Sequence, residues 1–154
     1  MILGRKPSIR KQVLVFVHGY QASSFDMEPL SNYLKHKYSN VIPLLSSVNE
    51  GRTEQDIEES AHRLAIEVKN FLNSIEIKEY EVSFVCHSMG GIIARASLKY
   101  LQSHKSKFNH MVTICSPHLG YLYHSSALIS TSLWILNKVR KDPSMLQLTM
   151  SDHL

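Results

Sequence analysis

Val82-Ser83-Phe84-Val85-Cys86-His87-Ser88-Met89-Gly90-Gly91 is the stretch on which the fold turns. Its first half, from Glu81 to Val85, is apolar and rich in β-branched and aromatic residues, the pattern of a short strand buried on both faces. The strand runs straight into a helix-like segment that opens at Met89 and continues to about Leu101. Between them, Cys86-His87-Ser88-Met89-Gly90 has the spacing of the nucleophile elbow, G-x-S-x-G, with cysteine at the first glycine. Such a turn is tight. Small residues two before and two after the serine keep neighbouring backbone clear, so the hydroxyl projects above the sheet. The helix N-terminus below adds N–H donors and the positive end of a dipole for a developing oxyanion, and Met89 would supply one such N–H. The competing reading is a surface turn that happens to contain serine and glycines; the strand before and the helix after argue against it.

Working outward, Val13 to Val17 (VLVFV) is a second buried-strand run, closed by His18-Gly19. A His-Gly pair after a strand is ordinary turn chemistry by itself. With an elbow downstream, the backbone N–H of Tyr20, just past the site-bordering Gly19, becomes the candidate for the second half of an oxyanion hole. Ser23 and Ser24 offer N-caps for a helix carrying Met27, Leu30, Leu34 and Tyr38, with Pro29 tolerated in its first turn. Val41 to Leu45 is a strand that Pro43 consigns to an edge or an irregular position. Thr53, with Asp56 three residues on, predicts the cap of the clearest helix, whose Ile57, Ala61, Leu64, Ala65, Val68 and Leu72 line one face. Met111 to Cys115 predicts a fourth strand, and Tyr121 to Lys141 is apolar and helix-like. Strand and helix alternate throughout, which predicts an α/β fold: a parallel sheet flanked by helices on both faces. Residues 1–154 read as a single domain, with residues 1–11 as a linker into the first strand.

Composition excludes several classes. Lysine and arginine number 17 against 13 for aspartate and glutamate, an excess of four that is scattered along the chain. The small clusters Arg5, Lys6, Arg10, Lys11 and Lys138, Arg140, Lys141 lack interleaved aromatics, so no nucleic-acid partner is expected. Cys86 and Cys115 each end an apolar run and read as buried, reduced thiols, which fits a cytoplasmic protein. No segment resembles a signal peptide, and Val13 to Val17 is far too short to span a bilayer. Cys86 lacks a neighbouring base that would activate it, and a buried structural thiol is the better reading. No spacing of histidines, cysteines and carboxylates suggests a metal site, and no cofactor is expected.

Four blocks in order, V-F-V-H-G-Y-Q-A-S-S-F-D-M, L-L-S-S-V-N-E, F-V-C-H-S-M-G-G and C-S-P-H-L-G-Y, resemble the eukaryotic serine esterase family of the α/β-hydrolases. The similarity is greatest to its "family with sequence similarity" branch of lipase-like hydrolases, and it runs from about Val13 to Asp152. It implies an α/β-hydrolase fold with Ser88 as nucleophile and Tyr20 and Met89 as the oxyanion hole. It also implies a triad acid and histidine that follow two further strands, neither of which lies in this sequence. Cys86 departs from the family's first glycine and could tilt Ser88.

The remaining histidines are weaker candidates. His18 and His118 border the predicted site; His118, in Ser116-Pro117-His118-Leu119-Gly120, reads as a loop-ordering residue rather than a base. His87, beside the nucleophile, points away from it in an elbow, and Gly90 serves the turn. Asp152-His153 sits at a terminus that would fray too freely to hold a base within about 3 Å of a hydroxyl. Leu128 to Arg140 (LISTSLWILNKVR) reads as a helix covering the sheet, or as a lid or a surface that touches a membrane. Two functions follow. One is a serine esterase acting on lipid or other acyl esters through an acyl-enzyme on Ser88. The other is an inactive hydrolase that serves only as a binding module, its unpaired sheet edge open to another chain. The expected partner in the first case is a small-molecule or lipid ester; the oligomeric state is not legible.

Overall fold

The computed structural model describes residues 10–119 and 143–148. Strands β1 (Lys11–Val17), β2 (Val41–Leu45), β3 (Tyr80–His87) and β4 (Phe108–Ile114) form one parallel sheet in the order β2-β1-β3-β4. Helices α1 (Glu28–Lys37), α2 (Ile57–Ser74) and α3 (Met89–Ser97) connect them. A single-turn 3-10 helix, Ser24–Met27, precedes α1, and a longer 3-10 segment, Leu98–Lys107, follows α3. The predicted Met89-to-Leu101 helix thus loses α geometry after Ser97, and Leu101 itself leaves helical backbone.

The period-2 pattern sorts the strands' side chains onto two faces. Val13, Val15, Val17, Val82, Phe84 and Cys86 point to one, where Ala61, Leu64, Ala65, Val68 and Leu72 of α2 and Met89, Ile93 and Ala94 of α3 close over them. Leu14, Phe16, Leu45 and Val85 point to the other, against Met27 and against Leu30 and Leu34 of α1. Right-handed crossovers require this split. The chain moves one way from β1 to β2, then back across β1 to β3 and β4, so α1 must lie opposite α2 and α3. Each fully buried Leu or Val contributes roughly 1.5–3 kcal/mol, and α2 buries three of them, Leu64, Val68 and Leu72, beside Ala61 and Ala65.

Pro43 takes its place on β2, the outermost strand on its side, in register with Leu14. β4 departs from expectation. It begins three residues before the predicted Met111, at Phe108, and Val112 is 51% and Ile114 40% exposed. Among the described residues the apolar cluster on the α1 face extends only as far as Val85 of β3 and does not reach β4.

The cap of α2 also differs. Asp56, not Thr53, accepts hydrogen bonds from the Glu58 and Glu59 N–H groups, at 2.7 and 3.1 Å. Its second oxygen accepts from Gln147 Nε2 at 2.5 Å, and Gln147 Oε1 in turn accepts from the Ile57 N–H at 2.8 Å. Gln147 lies on the short helix Pro143–Leu148, whose Met145 and Leu148 enter the main core. Replacing Asp56 with alanine should therefore cost about 1–2 kcal/mol, at the upper end for a cap, because two N–H donors and the Gln147 amide lose their acceptor together. Urea titration checks this. A loss below a few tenths of a kcal/mol would mean that the cap is not formed in solution. The predicted helical stretch from Tyr121 to Lys141, with Leu128 to Arg140 inside it, and the Asp152-His153 pair lie outside the described residues.

Candidate active site

The strand order reverses between β1 and β3, the switch point of an open parallel sheet, and a crevice forms outside the carboxyl ends there. Both sequence blocks with predicted chemistry end at that place. Val17 of β1 pairs with Cys86 of β3, which sets His18-Gly19 beside His87-Ser88.

Ser88 occupies the cap position of α3 with φ 51° and ψ −124°. A positive φ is rare for a residue with a side chain and costs on the order of 1–3 kcal/mol, so neighbouring structure must impose it. It does so from three sides. The Ser88 N–H donates to the Ile114 carbonyl at 2.8 Å, which extends the β3–β4 pairing into the turn. The Gly91 N–H donates to the Ser88 carbonyl at 3.1 Å and starts the helix. Gly90 presses against the end of β1 so closely that a Cβ would lie 2.5 Å from the His18 carbonyl oxygen, and nearer still to that of Val17. Only glycine admits that approach, and it brings α3, and Ser88 with it, onto the loop after β1. The contact is reciprocal: a Cβ on Gly19 would be 3.0 Å from Ser88 Cβ and 3.2 Å from His87 Nδ1.

The loop after β1 is held as firmly. His18 is buried, and its Nδ1 lies 3.0 Å from the Gly19 carbonyl oxygen, closing the turn. Tyr20 is half-buried against the main core. Gln21, with φ 50°, donates its N–H to Thr53 Oγ1 at 2.9 Å and its amide to Glu54 at 2.6 Å. Thr53, read from sequence as a helix cap, is instead buried and holds this loop. Two carboxylates steady the turn that follows. Asp26 accepts from the Ser23 N–H at 2.7 Å and Glu50 from the Ser24 N–H at 2.7 Å. Their pKa values are lowered, Asp26 chiefly by its hydrogen bonds from Ser23 and Glu50 by those from Ser24, with the charge of His18 a smaller influence on both.

Residues 8–154 match the family model described as "Putative serine esterase (DUF676)". This chain belongs to that family. It is 24% identical over 111 residues to the lysosomal thioesterase PPT2 of Mus musculus, covering 70% of this chain and 34% of that protein. The crystal structure of the Bacillus licheniformis lipase BlEst2 is similar with a TM-score of 0.60 at 19% identity, across 95% of this chain and 58% of the lipase. An extracellular α/β-hydrolase from a Paenibacillus species is similar with a TM-score of 0.55 at 12% identity, across 85% of this chain and 53% of that one. The fold is that of the α/β-hydrolases. The chain spans about a third of the length of the curated thioesterase and between half and three-fifths of these two solved structures.

Within this serine esterase family member, His87 is exposed and Met89 buried. His118, on the loop after β4, turns its Nε2 to Thr113 Oγ1 at 3.0 Å. Among the described residues no histidine or carboxylate is hydrogen-bonded to the Ser88 hydroxyl, and no group of side chains could hold a metal ion. No helix among them is long and apolar enough to cross a membrane. Three features escaped the sequence reading: the Thr53 anchor, the positive φ at Gln21 and Cys115, and the contact of Ser116 Oγ with the space where Gly91 would carry a Cβ. Of these, only the second glycine of Gly90-Gly91 gave a hint.

The two thiols are not alike, contrary to the reading of both as buried. Cys86 is wholly buried, and burial pushes its thiol up to about 12, so it carries no thiolate near neutral pH and cannot serve as a nucleophile. Cys115 is exposed, one residue past the strand whose open face Val112 and Ile114 display. Iodoacetamide at mildly alkaline pH should therefore alkylate Cys115 in the folded protein and reach Cys86 only after denaturation. Mass mapping of the peptides decides it, and rapid native modification of Cys86 would contradict its burial.

Proposed function

We propose that this protein is the nucleophile-bearing part of a serine esterase that hydrolyses carboxylic esters, lipid acyl esters foremost, through an acyl-enzyme on Ser88. The observation that carries the reading is the strained Ser88 turn set against Gly19 at the switch point of the sheet. A protein keeps a costly backbone conformation where it has a use, and here the use is to lift a hydroxyl above the strand ends. In the mechanism, Ser88 Oγ attacks the ester carbonyl while a histidine takes its proton, and the carbonyl oxygen becomes an oxyanion. The Met89 N–H, in the first turn of α3 and so without an intrahelical partner, and the Tyr20 N–H receive that charge. The alkoxide leaving group departs with the proton from the histidine; water then attacks the acyl-enzyme by the same route and regenerates Ser88.

The second reading, an inactive module that binds but does not turn over, is favoured by one fact: the Ser88 hydroxyl has no base bonded to it among the described residues. A fluorophosphonate probe separates the two. The esterase reading expects stoichiometric labelling, with the adduct mapped to Ser88 by mass spectrometry. Residues 1–154 by themselves should label far more slowly than a longer form that brings a histidine to the site. A base is worth up to about 10⁶ in turnover, and binding with the oxyanion hole leaves only about 10³–10⁴ over water. If no form that carries this sequence labels at Ser88, the esterase reading fails and the module reading stands.

A further inference from the structure

We infer that His118 is a positioning residue for Ser88, acting through a side-chain pin to Thr113; the inference rests on the esterase reading above. Its starting point is the bond that imposes the elbow, from the Ser88 N–H to the Ile114 carbonyl. Ile114 is the last residue of β4, and Cys115 beyond it has a left-handed backbone, φ 54°. The direction of the Ile114 carbonyl is therefore set by how the next few residues are tied down.

Three ties converge on them. The His118 ring folds back onto β4, where Nε2 meets Thr113 Oγ1 at 3.0 Å. Arg95 of α3 donates from Nη2 to the His118 carbonyl at 3.3 Å. Ser116 packs into the first turn of α3, so close that a Cβ on Gly91 would lie 2.8 Å from Ser116 Cβ, and Thr113 Cγ2 would be 3.0 Å from the same atom. The loop after β4 is thereby clipped to the helix that Ser88 caps, and His118 is the side chain that closes the clip.

The ring's protonation follows from its surroundings. His118 Nδ1 is buried and has no hydrogen-bond partner among the described residues. A buried N–H without an acceptor is costlier than a buried lone pair, so the proton sits on Nε2 and is donated to Thr113. Glutamine can present the same donor at similar reach; alanine cannot. A shift of about 1 Å at a nucleophile costs about a hundredfold in rate, so loosening this clip acts on the chemical step rather than on binding.

The experiment measures fluorophosphonate labelling of Ser88 in the longest natural chain that carries this sequence, resolved into probe affinity and the first-order rate of phosphonylation. His118→Ala should lower that rate about tenfold to a hundredfold and leave probe affinity unchanged. His118→Gln should recover most of it. Thr113→Val, which keeps the side chain's shape and removes the acceptor, should reproduce the alanine defect, and the double variant should add nothing further. The Thr113 variant stands in if His118→Ala fails to fold. Labelling of the alanine or valine variants at the unmodified rate overturns the inference and leaves the esterase reading intact. Equal defects in the alanine and glutamine variants overturn it too, since bulk rather than the Nε2 donor would then matter. An unmodified protein that never labels overturns the esterase reading, and this inference with it.

Discussion

Replacing Ser88 with glycine is expected to abolish ester hydrolysis and, in the same molecule, to raise thermal stability. The two effects have one cause. Ser88 sits at φ 51° and ψ −124°, a backbone that glycine adopts freely and serine does not. Relief of about 1–3 kcal/mol of strain outweighs the roughly 0.5–1 kcal/mol by which glycine loosens the unfolded chain, a net gain of about 1 kcal/mol. For a domain of this size that is roughly 2–4 °C in melting temperature. Loss of the hydroxyl, in a form that turns over a nitrophenyl ester, should lower kcat by about 10⁶, as for the nucleophile of a well-studied serine protease. Ser88→Ala separates the contributions, since it removes the hydroxyl and keeps the strain: equally inactive, without the gain in stability. Calorimetry on the three proteins is the check. If the glycine variant melts below the alanine variant, the turn is not strained; if hydrolysis survives both changes, Ser88 is not the nucleophile.

Why could this much be read from the sequence and not the rest? The elbow and the strand before β1's turn were legible because their signal is local. A β-branched run with no break, then small residues at fixed offsets, dictates a strand and a tight turn whatever else is nearby. The buried face of α2 was legible for the same reason: Ala61, Leu64, Ala65, Val68 and Leu72 recur at helical spacing and are buried, while Ile57 at the start of that face is half-buried. Where the outcome depends on a partner distant in sequence, the reading failed. Thr53 and Asp56 both suit a helix cap, and their three-residue spacing imitates a capping box. What separates them is Gln21, more than thirty residues upstream, which claims the Thr53 hydroxyl and leaves Asp56 to the helix.

β4 failed similarly. Cys115 closes the apolar run Met-Val-Thr-Ile-Cys and so reads as buried, but coverage is a property of the neighbouring layer, and among the described residues that layer on the α1 face stops at β3. Cys115, one residue past β4, is exposed. The left-handed backbone at Gln21 and Cys115 had no sequence signal at all, because glycine or asparagine would normally mark it. Both positions adjoin Ser88's surroundings, one after the Gly19 turn and one after Ile114, so the least legible backbone lies beside the candidate site.

Gly90→Ala should be the most destabilising of three glycine-to-alanine changes, and their contrast tests how α3 is seated. At Gly90 the added methyl would lie 2.5 Å from the His18 carbonyl oxygen and closer to that of Val17, and both are backbone atoms within β1's end. Neither can rotate away, so α3 must lift from the sheet, at about 3 kcal/mol or more. That is a large part of the roughly 5–15 kcal/mol available to a native domain. At Gly19 the nearest atoms are Ser88 Cβ at 3.0 Å and the ring of exposed His87 at 3.2 Å, and the ring can swing out. The stability cost there should be only about 1 kcal/mol, but the methyl intrudes beside the nucleophile. Gly51 has φ 65° and no atom within 4 Å of an added Cβ, so alanine meets backbone strain alone, about 1–2 kcal/mol, and does not touch Ser88. Denaturant midpoints should therefore fall most for Gly90→Ala, and modestly and similarly for the other two. Fluorophosphonate labelling should drop about a hundredfold for Gly90→Ala, which displaces Ser88, and measurably for Gly19→Ala, while Gly51→Ala labels normally. A Gly90→Ala protein as stable as its parent would mean that the helix is not seated on the end of β1, and the elbow would lose the contact that places Ser88 beside Gly19.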